Sequence, residues 1–385
     1  MSLPILICDD SSLARKQMAR SLPDHWDVDI TFATHGGEGI EAIRAGKGDV
    51  VFLDLNMPVM DGYEVLEAIC KEDLPAMVIV VSGDVQPKAH EKVMGFGALD
   101  FIKKPVSKEK IADILVKYGI VQEKDLLPPL TSQTSPDEPV AATPQPTEKP
   151  EANDAPVQEA AKAVPEISTA KPDLAGFKES PYTGPKIVLE NNIRDAYQEV
   201  ANVAMGQAGD LLGQLLEAFI SLPIPNVNLL EVSELTMALA SAEEEDTISA
   251  VCQGYIGAGI AGEALILFHD SSFQDMADLM GFKGTLNRHS EIEVMMDISN
   301  ILIGAFLKGF AEQLDMSFSQ GHPVVLGQHC QISELMSENA NRWQQTLAIE
   351  VNYLIESHNI HCDLLMLFTE DSITTLNNKL TYLLN

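Results

Sequence analysis

The chain has 385 residues, 57 of them acidic and 25 basic, for a formal net charge of −32. That length predicts two or three domains, and 45% hydrophobic residues suffice for real cores. The charge excludes nucleic acid and anionic membrane surfaces as partners, because both demand clustered Lys and Arg. Cys8, Cys70, Cys252, Cys330 and Cys362 are widely spaced with no CxxC pair, which predicts reduced thiols and a cytoplasmic setting. The start MSLPILICDD has no basic n-region, and no run of 18 apolar residues occurs, so neither a signal peptide nor membrane insertion is expected.

Taken in order, residues 1–121 alternate strands and helices. Strands are predicted at Pro4–Cys8, Val28–Ala33, Val50–Leu53, Met77–Val81 and Ala98–Ile102. Helices are predicted at Ser12–Leu22, Gly39–Arg44, Tyr63–Lys71, Pro87–Met94 and Lys108–Tyr118. Five such units predict an α/β domain with a doubly wound five-stranded parallel sheet. Residues 122–186 differ in character. Twelve of the 21 prolines lie between Pro128 and Pro185, among Ala, Ser, Thr, Glu and Gln, which predicts a disordered linker. Residues 187–385 carry an internal repeat. A long helix (Glu190–Phe219), LILF at Leu265–Phe268 and a short helix from Ser272 make one half. A long helix (Ser290–Leu314), an alternating strand (Leu347–Ile355), LMLF at Leu365–Phe368 and a short helix from Asp371 make the other. The echo predicts a pseudo-twofold α/β domain.

Chemistry gathers at strand ends. The first strand runs into Asp9 and Asp10, the third into Asp54 and the loop NMPVMDG, the fourth into Ser82, and the fifth leads to Lys104. In the order 2-1-3-4-5 these ends are neighbours. Three clustered carboxylates need a cation, and oxygen-only ligands favour Mg²⁺. A carboxylate nucleophile beside a hard metal, a hydroxyl and a lysine suits phosphoryl transfer. These residues resemble the CheY-type response-regulator receiver domain over the whole region. The resemblance implies that Asp54 accepts a phosphoryl group from a CheA-like histidine kinase. It further implies that Asp10, Asp54 and the Asn56 carbonyl bind Mg²⁺ with Asp9 nearby, and that Ser82 and Lys104 hold phosphoryl oxygens. A cis Lys104–Pro105 peptide and a switch role for Phe101 follow from the same likeness.

The first long helix presents two stripes. Ile193, Val200, Val203, Ala204, Leu211, Leu215 and Phe219 recur at helical spacing and are expected to face the core. Asp195, Glu199, Asn202, Gly206, Gly209 and Gly213 share another face. Three glycines on one stripe cost about 1 kcal/mol each against Ala, so something is expected to approach them closely. Glu293, Asp297, Asn300 and Gly304 repeat the first four members of the stripe 98 residues on. The paired motif resembles the CheC/CheX/FliY family of CheY-phosphate phosphatases, whose signature is (Asp or Ser)-xxx-Glu-xx-Asn. The first copy matches in full. The second has Glu293 for Asp or Ser and Asp297 for Glu. The resemblance implies that Asn202 orients a water on a CheY-like regulator's aspartyl phosphate while Glu199 grips that regulator's lysine, with Asn300 and Asp297 as a second pair. The expected whole is a chemotaxis signalling protein in which a phospho-accepting receiver regulates a phosphatase, acting on a separate regulator or on its own receiver. The rival is a non-catalytic module that docks on a regulator or flagellar switch, gated by receiver phosphorylation.

Overall fold

The computed structural model describes residues 2–23, 26–122, 189–230, 247–282, 287–330, 346–355, 358 and 360–384. The predicted linker lies, beyond residue 122, outside these residues.

Five parallel strands, β1 (Leu3–Cys8), β2 (Val28–Ala33), β3 (Val50–Leu53), β4 (Met77–Ser82) and β5 (Asp100–Lys103), form a sheet in the order β2-β1-β3-β4-β5. The connecting helices are α1 (Ser12–Ser21), α2 (Gly36–Arg44), α3 (Gly62–Glu72), α4 (Pro87–Gly95) and α5 (Lys108–Lys117). β3 reads as an unbroken apolar run because helices cover both faces. Leu6, Val51, Leu53 and Val80 pack with Ile40, Val65 and Leu66 on one side. Ile5, Phe52, Ile79 and Val81 pack with Met18, Ile111 and Leu115 on the other. The register pairs Cys8 with Leu53, and Leu53 with Val80, so the residues that follow these strands emerge side by side.

The C-terminal region, expected as a pseudo-twofold α/β domain with two long helices, is a seven-stranded antiparallel sheet against two long helices. Its elements are α6 (Asn191–Leu216), β6 (Asn226–Leu230), β7 (Ile248–Gly257), β8 (Ile260–His269), α7 (Phe273–Leu279), α8 (Arg288–Gln313), β9 (Ser319–Gln320), β10 (Val324–Cys330), β11 (Thr346–Ile355), β12 (Ile360–Thr369) and α9 (Glu370–Leu384). The main path runs β10-β7-β8-β12-β11-β6, with β9 on β7. Exchanging the two halves (β6 for β10, β7 for β11, β8 for β12) gives the same order reversed, which is the signature of an internal twofold. β7 and β11 stand the same 98 residues apart as the paired motif. α6 and α8 pack on one another, where Gly309 lets the backbone of Ala204 come close. Among the described residues α8 is the one helix long and apolar enough to cross a membrane by length and composition, although most of that stretch is buried inside the protein.

Three expectations need correction. The first long helix ends at Leu216, where Glu217 takes a left-handed conformation, not at Phe219. Leu211 is exposed and Leu215 half-buried, while Leu212 and Leu216 take the core positions. A helix pressed between two partners buries most of its circumference, so one apolar stripe misassigns its last turns. The terminal helix from Glu370 is 15 residues long, not short, because Ile373, Leu376 and Leu380 continue its buried face.

Candidate phosphoryl site under helix α6

Asp54 follows β3 and is buried, its N–H donating to the Cys8 carbonyl at 2.9 Å. The loop after it turns into α3 at Gly62, where a Cβ would overlap the Asp54 carbonyl, so only glycine fits. Asp61 and Glu64 close a capping box at that helix start. Lys104 leaves β5 through a cis Lys104–Pro105 peptide, and its ammonium enters the site. Lys104 Nζ lies 2.8 Å from Asp9, 3.4 Å from Asp54 and 3.0 Å from Glu199. Ser82 is fully buried beside them, and its hydroxyl accepts from the Asp84 N–H at 3.1 Å, which leaves the O–H itself to donate. Phe101 is half-buried and meets the His90 ring edge-on.

Charge balance in this pocket is unfavourable without a further cation. Asp9, Asp10 and Asp54 offer oxygens within 4.8 Å of one another, and neither Asp54 side-chain oxygen has a hydrogen bond. Burial, then repulsion from Asp9, pushes Asp10 up to about 7 against the pull of Lys104. Burial likewise raises Asp54 well above the usual carboxylate range, with Lys104 opposing and Asp9 and Glu199 adding to it. Burial alone would lower Lys104, but Asp54, Asp9 and Glu199 outweigh it and hold its pKa well up. Orphaned hard oxygens in a negative cluster fit Mg²⁺.

The roof of this pocket is α6. Glu199 and Asn202 are both buried, Glu199 on Lys104 and Asn202 on Asn56, whose Nδ2 donates to Asn202 Oδ1 at 3.2 Å. Burial raises the Glu199 carboxyl, and the Lys104 ammonium opposes that shift. Asp195 caps α1 of the N-terminal region. Its Oδ2 accepts from the N–H groups of Ser12 at 2.8 Å and Leu13 at 3.3 Å, and from the Ser12 hydroxyl. Gly206 lies against Gly83, and a Cβ on it would overlap the Gly83 carbonyl oxygen. Beyond the helix, Gln86 Nε2 donates to the Ile220 carbonyl at 2.7 Å and Gln86 Oε1 accepts from the Ile220 N–H at 2.9 Å. A cavity of about 210 Å³ reaches Asp54 and Lys104 beneath Glu199, Val200 and Val203.

The glycine stripe thus has three explanations. Gly206 admits the receiver backbone, Gly209 faces Leu222, and Gly213 meets the Ala218 carbonyl and Gln86. The second copy of the motif is placed differently. Glu293, Asp297 and Asn300 are exposed on α8, and a Cβ on Gly304 would meet only Gln320 Oε1 at 3.9 Å. Sequence reasoning missed Ser12, Gly83, Gln86 and Ile220. One signal existed: Gln86 stands at the N-cap of α4 before Pro87, a position that Gln fills poorly, and its side chain makes no cap bond there. Away from this site, His329 lies between Asp270 at 2.9 Å and Glu291 at 3.1 Å.

The family described as "Response regulator receiver domain" matches residues 5–116. The N-terminal region is therefore a receiver domain, the phospho-accepting module of two-component signalling. Curated relatives match over this region. The protein-glutamate methylesterase/protein-glutamine glutaminase of Geobacillus kaustophilus (strain HTA426) is 37% identical over 107 residues, covering 27% of this chain and 30% of that protein. The same-named protein of Natronomonas pharaonis is 34% identical over 123 residues, covering 32% of this chain and 33% of its own length. The chain thus spans about a third of these relatives. Among solved structures, the response regulator domain of Thermotoga maritima CheB is 29% identical, with 31% of this chain and 93% of that chain covered and a TM-score of 0.27. A chain of the CheX-CheY-BeF3-Mg complex from Borrelia burgdorferi is 30% identical, with coverage of 30% and 87% and a TM-score of 0.28. Thermotoga maritima FliY is 15% identical, with coverage of 51% and 99% and a TM-score of 0.40.

Proposed function

We propose that this protein is a self-limiting receiver: Asp54 takes a phosphoryl group from a histidine kinase, and helix α6 of the same chain hastens its hydrolysis. The observation that carries the reading is the seating of Glu199 on Lys104 and of Asn202 on Asn56, over a buried Asp54. Hydrolysis requires a water in line with the bond from Asp54 to phosphorus. That bond breaks, inorganic phosphate leaves, and Asp54 returns as a carboxylate. The Asn202 carboxamide accepts a hydrogen bond from the water and fixes its direction. Lys104 and the Ser82 hydroxyl hold phosphoryl oxygens, while Glu199 keeps Lys104 and the helix in register. Asp10, Asp54 and the Asn56 carbonyl, with Asp9 beside them, would hold Mg²⁺, which would neutralise charge at the phosphoryl group. Orienting one water contributes about 10²–10³-fold, on the scale of single-donor deletions in other enzymes.

The test follows phosphate release from the full chain phosphorylated at Asp54. Asn202→Ala is expected to slow release by about 10²-fold or more while α6 stays docked. Unchanged release in that variant would remove the catalytic role and leave α6 as a docking element only. A second reading rests on the exposure of Glu293, Asp297 and Asn300 and the open space at Gly304. Asp297 and Asn300 would act on the aspartyl phosphate of a separate CheY-like regulator seated on α8, with Asn300→Ala abolishing that activity alone.

A further inference from the structure

Most contacts of α6 near Asp54 cannot tell one receiver from another; the exception, the Asn56 Nδ2 bond to Asn202 Oδ1 at 3.2 Å, is one hydrogen bond to the group that the proposed chemistry uses to orient water. Lys104 and the acidic cluster are groups that phosphoryl transfer to an aspartate itself requires. The Asp195 contacts at the start of α1 are to backbone N–H groups and one hydroxyl. Gln86 is different. No step of the chemistry needs a carboxamide there, yet its side chain is buried and makes both hydrogen bonds of a peptide group with Ile220. Its amide also donates to Asp84 Oδ1 at 3.1 Å, which holds the head group in place. Resting on the reading of α6 given above, we propose that Gln86 is the specificity-determining residue of the docking face, the group by which the C-terminal region accepts this receiver over others.

The physical basis is the pairing itself. The Ile220 peptide presents a donor and an acceptor to the same side chain. Glu offers no donor to its carbonyl, Lys no acceptor to its N–H, and an apolar residue neither. A receiver without the carboxamide leaves buried polar groups unpaired, and such sites discriminate strongly against the partner that lacks the group. Ile220 reaches Gln86 because α6 stops at Leu216 and the chain turns back at Glu217.

Two measurements on full-length chains test this. The first is amide hydrogen exchange at Ile220 in the wild type and in Gln86→Met, which keeps the volume and loses both hydrogen bonds. Ile220 is expected to exchange at least about tenfold faster in the variant while the amides of α4 keep their protection. Equal exchange in the two proteins overturns the proposal. The second is steady-state hydrolysis in trans. The substrate is a phosphorylated chain carrying Gly206→Ala to take its own α6 off its receiver, with Asn202→Ala and Asn300→Ala, and with or without Gln86→Met. The enzyme chain carries Asp54→Ala with Gln86→Met to free its α6, and Asn300→Ala to silence α8. Gln86→Met in the substrate is expected to raise KM about tenfold and leave kcat within about twofold. An unchanged KM, or a loss confined to kcat, overturns the assignment of specificity. If Asn202→Ala fails to slow phosphate loss, the phosphatase reading falls, and the address stands or falls on the exchange at Ile220.

Discussion

Asp84 shows what burial does to a carboxyl that chemistry does not use. Burial raises its pKa to about 6, and the hydrogen bonds from Gln86 only partly offset it. A raised carboxyl favours the folded state while protonated. Its contribution is present below the ordinary value of 3.8 and is lost as pH rises through about 6. At pH 7 the ionised form therefore costs on the order of 2–3 kcal/mol. Asp84→Asn keeps an acceptor for Gln86 and removes the charge, so it is expected to stabilise the protein by about 1–3 kcal/mol at pH 7 and to flatten stability between pH 4 and 6. Urea unfolding at several pH values reads this directly, and an unaltered pH profile contradicts it. The clustering of Asp9, Asp10, Asp54 and Lys104, with Ser82 at the end of the next strand, was legible because fixed strand register turns sequence position into proximity. The partner of Gln86 was not legible, since it is a main-chain peptide 134 residues away, and the poor fit of Gln to the N-cap of α4 marks the residue but not what it meets.

At the level of elements, the two long helices make a matched comparison. Gly206 and Gly304 occupy equivalent places in the repeat, yet one meets the backbone of Gly83 and the other meets little. Gly206→Ala is expected to prise α6 off the receiver and to lengthen the life of the Asp54 phosphoryl group as Asn202→Ala does. Gly304→Ala is expected to stabilise α8 by up to about 1 kcal/mol and to leave that lifetime unchanged. Thermal unfolding together with phosphate release in both variants separates these outcomes, and equal behaviour of the two would contradict the assigned packing. The strand β10 gives a pH prediction. A hydrogen bond donated to Asp270, with Glu291 adding, raises His329 above its ordinary 6.5, so its pairing stabilises fully below that pH and fades as pH rises through the raised value. His329→Asn is expected to flatten the decline of the thermal midpoint as pH rises past 6.5 and through the raised value. Helices and strands were largely legible from periodicity. The C-terminal boundaries of α6 and α9 were not, because burial on two faces and a continued apolar stripe are tertiary facts.

For the molecule as a whole, the proposed role of α6 would make phosphorylation and dephosphorylation compete for one face. Asp54 and Lys104 are 1% and 3% exposed beneath the helix, so a phosphohistidine donor reaches Asp54 only when α6 lifts away. Gly206→Ala is therefore expected to accept phosphoryl groups faster than the wild type as well as to lose them more slowly. That the chain pairs a receiver with a repeated helix motif could be read from residue types and the 98-residue spacing. Which receiver the first motif serves could not, since two surfaces of one chain meet only in the fold. The central claim is that α6 acts on the receiver of its own chain, and the most direct test is dilution. The first-order rate constant for phosphate loss from the phosphorylated full-length chain is followed over about a hundredfold range of protein concentration. The account predicts a constant rate, well above that of Asn202→Ala at every concentration. A rate constant that falls in proportion to dilution would contradict it and assign the reaction to encounters between chains.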